Sequence, residues 1–284
     1  MTSTPMGITP MIEYEDVHKR FDAPVLSGVN LAVMPGETMS VLGTSGTGKS
    51  VLLKTTIGLI IPDRGDVRID GRSVYQDGKG SLRELRKSVR YVFQYAALFD
   101  SLSVYENIEM GLDPEALEAL PKGEVLDRIA KSLENVNLDP RKVLNKLPAE
   151  LSGGMRKRVG LARAIVGEPR IVLYDEPVTG LDPVNAATVN HLIISIAERT
   201  KVTSIVVTHD IEGALEMSDR VALLDSGKLR FVGTPDEFRR STEPLVMAFA
   251  DRRAAAAAAL KMLAENEDDN LPGSMGSGST GARA

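Results

Sequence analysis

Three short motifs, in a fixed order along the chain, limit what this sequence can fold into more than any other feature. The first, residues 43–50, reads GTSGTGKS and matches the phosphate-binding pattern G-x-x-x-x-G-K-[ST]. The third, residues 171–177, reads IVLYDEP and is an apolar strand that ends in two carboxylates. Together they predict a nucleotide triphosphatase site. Between them, LSGGM at residues 151–155 predicts a Ser-Gly-Gly turn that opens a helix.

The glycine-rich loop has the composition that phosphate binding needs. Its glycines let the backbone curl so that successive amides face the phosphates, and Lys49 adds a cation near the β- and γ-phosphates. A purely structural strand-to-helix turn is the competing interpretation, but every fixed position of the pattern is present. Ser50 is placed to bind Mg²⁺. The nucleotide-binding residues predicted from this loop are Gly43, Thr44, Ser45, Gly46, Thr47, Gly48, Lys49, Ser50 and Val51.

Two adjacent carboxylates follow the apolar strand. Asp175 comes after four apolar residues, so we expect it at the carboxyl end of the strand, where it can hold Mg²⁺ through water. Glu176 is the second carboxylate and directly follows Asp175, a position that would suit a general base beside a metal-binding strand end. Adjacent acids alone more often mark a surface turn, but the phosphate loop favours the functional interpretation.

Composition and charge limit the kinds of partner that the protein can bind. The formal net charge of -5 argues against broad binding to nucleic acid, and the local basic cluster Arg156-Lys157-Arg158 is interpreted as a solvated helix start. The absence of cysteine excludes disulfides and thiolate metal sites and is compatible with a reducing cytosol. The N-terminus lacks a secretory signal pattern, and no apolar run approaches the roughly 18 residues of a spanning helix. We therefore expect membrane contact only through a partner.

The hydrophobic pattern predicts an α/β fold in which a buried parallel sheet accompanies a mixed β-sheet subdomain. Val125, Ile129, Leu133 and Val136 recur at helical spacing and predict an amphipathic helix within a helical insertion of about residues 100–166. The expected strands are 12–18, 28–33, 38–42, 66–70, 91–93, 171–174, 204–208 and a pair near 220–232, and further helices are expected at 49 to about 60 and 187–199.

The three motifs resemble those of ATP-binding cassette (ABC) ATPases, over roughly residues 11–245. The resemblance implies an ABC-type nucleotide-binding domain: a phosphate-loop NTPase core with a mixed β subdomain and an inserted helical subdomain. It implies ATP and Mg²⁺ as cofactors. The expected organisation is a tail over residues 1–10, the ATPase domain over 11–245, and a C-terminal helical extension with a disordered tail over 246–284.

Further residues take roles that the resemblance implies. Glu176 would polarise the attacking water, and Gln94 resembles the Q-loop glutamine, which touches Mg²⁺ or that water and moves with a membrane partner. His209 resembles the switch histidine that contacts the γ-phosphate, and Asp182 resembles the D-loop aspartate at the dimer interface. Phe21 matches the place of the aromatic residue that stacks on adenine, and a core phenylalanine is the alternative.

The Ser-Gly-Gly turn is a second anion site in the same chain, because hydroxyl, amides and helix dipole converge there. A plain helix N-cap is the bland alternative. In ABC ATPases this signature closes over ATP held by another subunit, so the resemblance implies a head-to-tail dimer with two sandwiched nucleotides. Ser152, Gly153 and Gly154 are the residues concerned, and Met155 stands where glutamine is commonest in the family.

Residues 45–54, 93–99 and 151–158 resemble, within the family, the ATPases of Mla/Mce lipid-transport systems. That resemblance implies an integral membrane permease and an Mce-type lipid-binding protein as partners, at the cytoplasmic face of the inner membrane. An importer ATPase for polar solutes would share every catalytic motif and stays open. A soluble ABC ATPase acting on DNA ends or ribosomes predicts tandem cassettes or a long coiled-coil insertion and a basic face, none of which the sequence contains.

For two segments the sequence predicts a role in protein contacts or packing and not in catalysis. Tyr95-Ala-Ala-Leu-Phe99 suits a shallow groove for a short permease helix; alternatively, Leu98 and Phe99 pack under the helical insertion. Residues 243–263, with their alanine run, predict a helix that either packs on a neighbouring ATPase subunit or is a solubilising tail.

Overall fold

The computed structural model describes residues 9–76 and 84–251. The chain divides into two compact units, residues 1–240 and 241–284. In the second unit the described part includes a helix from residue 244, and the Glu243 carboxylate accepts hydrogen bonds from the first-turn amides of Leu245 and Val246. The predicted alanine-rich helix beyond residue 251, the expected tail over 271–284 and most of the N-terminal tail lie outside the described residues.

One sheet of the first unit comprises β1 (Ile12–Arg20), β2 (Pro24–Val33), β4 (Arg64–Ile69) and β5 (Arg72–Ser73). It is antiparallel throughout, with the strand order β2-β1-β4-β5. In the inner strand β1, Ile12, Tyr14 and Val17 are buried, and the alternation slips by one residue because a bulge at Asp16 interrupts the register. β1 and β2 run longer than the sequence predicts, β4 is shifted toward the N-terminus, and the short β5 has no predicted counterpart.

The second sheet has six strands: β3 (Thr38–Leu42), β6 (Val89–Val92), β7 (Ile171–Asp175), β8 (Thr203–Thr208), β9 (Arg220–Asp225) and β10 (Lys228–Gly233). They lie in the order β10-β9-β3-β8-β7-β6, all parallel except the β9–β10 hairpin. This confirms the predicted buried parallel sheet. Three adjacent strands, β3, β8 and β7, are buried along their whole length, and their sequences are mostly apolar, as in a sheet covered on both faces.

Both faces of β7 are covered, which fixes the end of the strand that carries the two carboxylates. Ile171 and Leu173 point into the core beneath the antiparallel sheet, whereas Val172 and Tyr174 point into the core of the helical insertion. Successive strand residues face opposite sides, so apolar residues at every position are needed to fill both cores. Asp175 is therefore held at the carboxyl edge of the sheet by packing on either side.

The helices follow the predicted pattern with shifted ends. The amphipathic helix is present and buries Val125, Ile129 and Leu133, as the spacing predicts. The helix after the phosphate loop ends at Thr56, because the chain turns at Gly58 with a left-handed φ of 64°. Helical segments are Lys49–Thr56, Val104–Glu109, Pro114–Ala119, Lys122–Glu134, Pro140–Val143, Pro148–Glu150 (3₁₀), Gly153–Ile165, Pro183–Thr200, Ile211–Met217 and Pro235–Arg239.

The basic cluster that opens helix Gly153–Ile165, here called the signature helix, is not uniformly solvated. Arg156 is exposed, but only 8% of the surface of Lys157 is accessible to solvent. The prediction of a solvated cluster is therefore wrong for Lys157. Its side chain turns inward to the segment that follows β6. Over residues 9–76 and 84–251, no helix is both long and apolar enough to span a bilayer.

Candidate nucleotide site

The phosphate loop leaves the carboxyl end of β3 and enters helix Lys49–Thr56. Gly46 and Gly48 adopt left-handed φ angles of 83° and 102°, which glycine reaches without steric cost. A Cβ on Gly43 would lie 2.5 Å from the carbonyl oxygen of Leu224, so the strand end leaves no room for a side chain. The glycines at these positions therefore let the loop curl tightly against the sheet.

A cavity of about 460 Å³ opens beside this loop. Residues from the phosphate loop, the antiparallel sheet and the ends of three parallel strands meet around it, although they lie far apart in the sequence. The described lining consists of Phe21, Val25, Ser45, Gly46, Gly48, Lys49, Ser50, Val51, Gln94, Glu176, Thr179 and His209.

Gly43, Thr44 and Thr47 shape the loop rather than line the cavity. The Lys49 ammonium donates to the carbonyl oxygens of Gly43 and Thr44 at 2.8 and 3.1 Å, and the Thr47 hydroxyl donates to the same Thr44 oxygen at 2.9 Å. These contacts hold the curl of the backbone together and place the lysine head group against the loop.

Glu176 is the meeting point of the polar groups in the cavity. One carboxylate oxygen lies 3.3 Å from the Lys49 nitrogen, and the other lies 2.6 Å from Nδ1 of His209. The second oxygen also accepts a hydrogen bond of 3.2 Å from the Thr179 hydroxyl. The backbone of Glu176 is left-handed, with φ 49°, and its amide donates to the Val207 carbonyl of β8. The sharp bend after β7 therefore directs the carboxylate toward the phosphate loop.

Asp175 is held by two hydroxyl groups. Its Oδ1 accepts from Ser50 and its Oδ2 from Tyr91, each at 2.7 Å. Burial, together with the bond to this carboxylate, raises the pKa of the Tyr91 hydroxyl well above its ordinary value, so Tyr91 stays protonated and donates. Tyr91 carries no motif in the sequence. It reaches Asp175 because β6 lies beside β7 in the sheet, with Tyr91 opposite Leu173.

Ser50 and Asp175 offer the oxygen donors that Mg²⁺ requires. No cluster of three or more His, Cys, Asp or Glu side chains suited to a metal occurs among the described residues. A hydroxyl and one carboxylate fit a Mg²⁺ ion that draws its other ligands from phosphate and water, as is usual for nucleotide-bound magnesium. When bound, the ion neutralises phosphate charge. Gln94 also reaches the cavity from the end of β6.

Phe21 lies at the mouth of the cavity and is 55% exposed, so its alternative interpretation as a core residue is wrong. The ammonium group of Lys19 lies 5.5 Å from the centre of its ring. An accessible aromatic face beside the phosphate loop is available for stacking on a planar ligand.

The Ser-Gly-Gly turn does not reach the cavity of its own chain. The Ser152 hydroxyl accepts from the Met155 amide at 3.2 Å and caps the signature helix, and Ser152 and Gly153 are exposed. Gly154 is covered by Asn185, whose Oδ1 would lie 2.6 Å from a Cβ at that position. None of these residues is part of the cavity lining.

Asp182 also lies outside the cavity lining and caps helix Pro183–Thr200. Its carboxylate accepts from the amide and the side-chain nitrogen of Asn185 at 3.0 and 2.5 Å, and these bonds lower the pKa of Asp182. Asn185 thus connects the aspartate to Gly154, a link that no sequence motif marks.

Most of the chain is similar to known proteins. The family model described as ABC transporter matches residues 26–179. The probable ribonucleotide transport ATP-binding protein mkl of Mycobacterium leprae is 38% identical over 250 residues, covering 88% of this chain and 70% of the relative. Protein TRIGALACTOSYLDIACYLGLYCEROL 3, chloroplastic, of Arabidopsis thaliana is 39% identical, with coverage of 84% and 73%. The sulfate/thiosulfate import ATP-binding protein CysA of Caulobacter vibrioides is 38% identical, with coverage of 82% and 67%.

Solved structures share the fold. The cbiO1 protein from Clostridium perfringens, part of the ABC transporter complex cbiONQ, superposes with a TM-score of 0.73 at 26% identity, covering 86% of this chain and 99% of that one. A dimeric, post-hydrolysis ATP-binding cassette, MJ0796 bound to ADP and Pi, superposes with a TM-score of 0.71 at 30% identity, covering 79% and 99%. The chain belongs to the ABC transporter family of ATP-binding proteins. It is an ATPase that uses ATP with Mg²⁺.

Proposed function

We propose that this ATPase drives a membrane transporter that moves phospholipids or other hydrophobic molecules between membranes, in the manner of the Mla/Mce systems. The observation that carries the coupling to a permease is the placement of two neighbouring residues. Gln94 lines the nucleotide cavity, and Tyr95 directly after it is 82% exposed. Phe99 is also half exposed, so the segment that follows Gln94 presents two large aromatic side chains at the surface. Such a surface suits a short helix of a membrane subunit.

Leu98 differs in burial from the exposed residues on either side of it. It is half-buried and packs against the core of the helical insertion, as the alternative interpretation of this segment predicts for it. Phe99 does not follow that interpretation, since its ring is 51% exposed. We therefore assign the docking surface to Tyr95, Ala97 and Phe99, with Leu98 as the residue that anchors the segment.

Hydrolysis is assigned to the groups that converge on the cavity. A water molecule attacks the γ-phosphorus as the bond to the ADP oxygen breaks, and Glu176 accepts the proton of the water. Lys49 compensates the charge of the β- and γ-phosphates, while Ser50 and Asp175 would hold Mg²⁺. Gln94 orients the water, and His209 contacts the γ-phosphate. The contacts of Glu176 with Lys49 and His209 support this arrangement.

A head-to-tail dimer completes the site. Ser152, Gly153 and Gly154 form an anion-binding helix start that their own cavity does not use, and the first two are exposed. In the proposed dimer they close over the nucleotide of the partner, with Asp182 at the interface and Phe21 on the adenine. The dimeric state in which the similar cassette MJ0796 was solved supports this assembly.

The cargo assignment rests on the lipid-transport resemblance of residues 93–99 and 151–158 and on one relative. The Arabidopsis protein bears the name of a galactolipid. A second candidate is a polar-solute importer, which the relatives named for ribonucleotide, sulfate/thiosulfate and methionine transport favour. Under the proposed lipid-transport function, the partners are a permease and an Mce-type lipid-binding protein, and the ATPase works at the cytoplasmic face of the inner membrane.

Purification of the intact complex from its native membrane separates the two candidates. We expect copurifying phospholipid or another hydrophobic molecule, together with a permease and an Mce-type protein, all identified by mass spectrometry. In the same complex, added phospholipid should raise ATP turnover, whereas sulfate, methionine and ribonucleotides should not. Stimulation by one of these polar solutes, with no bound lipid, would identify an importer.

A further inference from the structure

The turn that follows Gln94 is tied to the signature helix by cations that the hydrolytic chemistry does not use. The Lys157 ammonium donates to the carbonyl oxygen of Gln94 itself. One turn and a half further along the helix, the Arg163 guanidinium donates to the carbonyl oxygens of Ala96 and Ala97 at 2.6 and 2.8 Å. Three of the four carbonyls in residues 94–97, here called the glutamine turn, are therefore held by one helix.

Backbone conformation makes this turn dependent on its partners. Ala96 and Ala97 both adopt left-handed φ angles, 58° and 45°, which cost free energy in any residue other than glycine. Ala96 is buried against Gly160, where a Cβ would lie 3.2 Å from the Ala96 methyl group. Lys157, Gly160 and Arg163 follow one another every three residues, so they present one face of the helix to the turn.

Lys157 is an unusual residue for a purely structural contact. It is almost fully buried, and its ammonium makes no ion pair with a carboxylate among the described residues. Burial lowers the pKa of Lys157, with the charge of Glu176 acting in the opposite direction. Burying a cation against a carbonyl oxygen, with no carboxylate to pair it, costs free energy, so the contact points to a role for the position of that carbonyl.

We propose that Lys157 and Arg163 are positioning residues that hold the glutamine turn in the conformation from which Gln94 reaches the nucleotide cavity. Lys157 holds the carbonyl oxygen of Gln94, and Arg163 holds those of Ala96 and Ala97, whose backbones are left-handed. The inference rests on the proposed role of Gln94.

A kinetic double-mutant cycle between Lys157 and Gln94 tests the inference in the purified transporter complex. Lys157→Met removes the charge and the donor and keeps a long unbranched side chain. We expect Lys157→Met and Gln94→Ala each to lower the kcat for ATP about ten-fold, with the KM changed less than about two-fold. The double variant should be no slower than Gln94→Ala alone, because Lys157 acts through Gln94. Lys157→Arg should restore at least about half of the wild-type kcat.

The matched control is Arg158→Met on the same helix. Arg158 donates to a carbonyl oxygen at 2.9 Å, but that carbonyl belongs to Asn137 in the helical insertion. Loss of this contact should lower the thermal midpoint without lowering kcat. If Lys157→Met fails to fold, the double-mutant cycle uses Arg163→Lys in its place. This change keeps the positive charge but removes the planar guanidinium that donates to two carbonyl oxygens at once.

Three results would overturn the inference. Wild-type kcat in Lys157→Met means that the contact positions nothing, and a double variant about one hundred-fold slower means that the two residues act independently. An unchanged Gln94→Ala enzyme removes the proposed role of Gln94 and the inference with it. That third result is distinct from the first two, which leave the role of Gln94 standing.

Discussion

Nδ1 of His209 lies 2.6 Å from a carboxylate oxygen of Glu176, although 33 residues separate them in the sequence. A carboxylate accepts only, so with Glu176 ionised the ring carries a hydrogen on Nδ1. A neutral imidazole then has a lone pair on Nε2 and cannot donate from that atom to a phosphate. For His209 to contact the γ-phosphate through Nε2, the ring must gain a second proton or release Glu176. In the proposed mechanism, this contact therefore ties the placement of His209 to that of Glu176.

Replacement of Lys49 by Ala should abolish productive ATP binding. The ammonium is the cation to which we assign compensation of the phosphate charge, and it also joins the carbonyls of the loop. We expect nucleotide affinity, measured by fluorescence titration, to fall at least about 100-fold, with no turnover above background. Lys54→Ala, in the last turn of the same helix, is the control and should bind ATP normally. Undiminished turnover of Lys49→Ala would contradict the assignment.

Glu176→Gln should keep ATP binding and stall hydrolysis. The amide matches the shape of the carboxylate, and its oxygen can still accept from His209, but it cannot take the proton of water. Turnover should fall about 100-fold or more, and size-exclusion chromatography should show a stable ATP-bound dimer. Glu216→Gln, at an exposed position of helix Ile211–Met217, should behave as wild type. Rapid release of ADP and phosphate by Glu176→Gln would exclude the general-base role.

Mixed dimers test whether two chains build each site. Combining Lys49→Ala with Ser152→Arg subunits leaves one composite site with both defects and the other with neither. We expect partial ATPase activity from the mixture and none from either parent alone. Ser152→Asp keeps the helix cap but places a negative charge at the proposed anion site, and its homodimer should be inactive, which separates loss of the cap from loss of the anion site. Normal hydrolysis by the Ser152→Arg homodimer would rule out the sandwich.

Tyr91→Phe should lower the apparent affinity of the enzyme for Mg²⁺ without unfolding it. The change removes the hydroxyl that holds Oδ2 of Asp175 and keeps the ring. We expect the Mg²⁺ concentration for half-maximal ATPase activity to rise about three- to ten-fold, which corresponds to the net free energy of one ordinary hydrogen bond. Tyr105→Phe is the matched control, since its hydroxyl contacts Glu109 outside the cavity. An unaltered Mg²⁺ titration of Tyr91→Phe would show that Ser50 alone orients the carboxylate.

Ala97→Glu should separate ATP binding from permease binding. The side chain of Ala97 is exposed, and a charge there would repel an apolar helix while the phosphate loop stays intact. We expect the variant to bind ATP with wild-type affinity, to fail to copurify with the permease and to support no transport. Ala119→Glu, another exposed alanine, is the control. Normal assembly and transport by Ala97→Glu would move the docking site elsewhere in the helical insertion.

Much of the fold could be predicted from the sequence because strands and helices follow local patterns of apolar residues. Short runs rich in β-branched and apolar residues identify the fully buried strands, and the spacing of Val125, Ile129 and Leu133 identifies a helix with one buried face. The strand ends were harder to place. Asp16, left-handed within β1, forms a bulge that lets the strand continue to Arg20, and nothing in the alternation marks it.

The sequence by itself determined the family, the phosphate loop and the carboxylates, because each is a contiguous pattern whose backbone geometry requires particular residue types. Tertiary structure alone decided which side chains meet. Tyr91 reaches Asp175 across a strand pair, and Lys157 reaches the Gln94 carbonyl from a helix 63 residues further along the chain. Such contacts depend on strand register and helix docking, which are set by the packing of the whole core and leave no trace in local spacing.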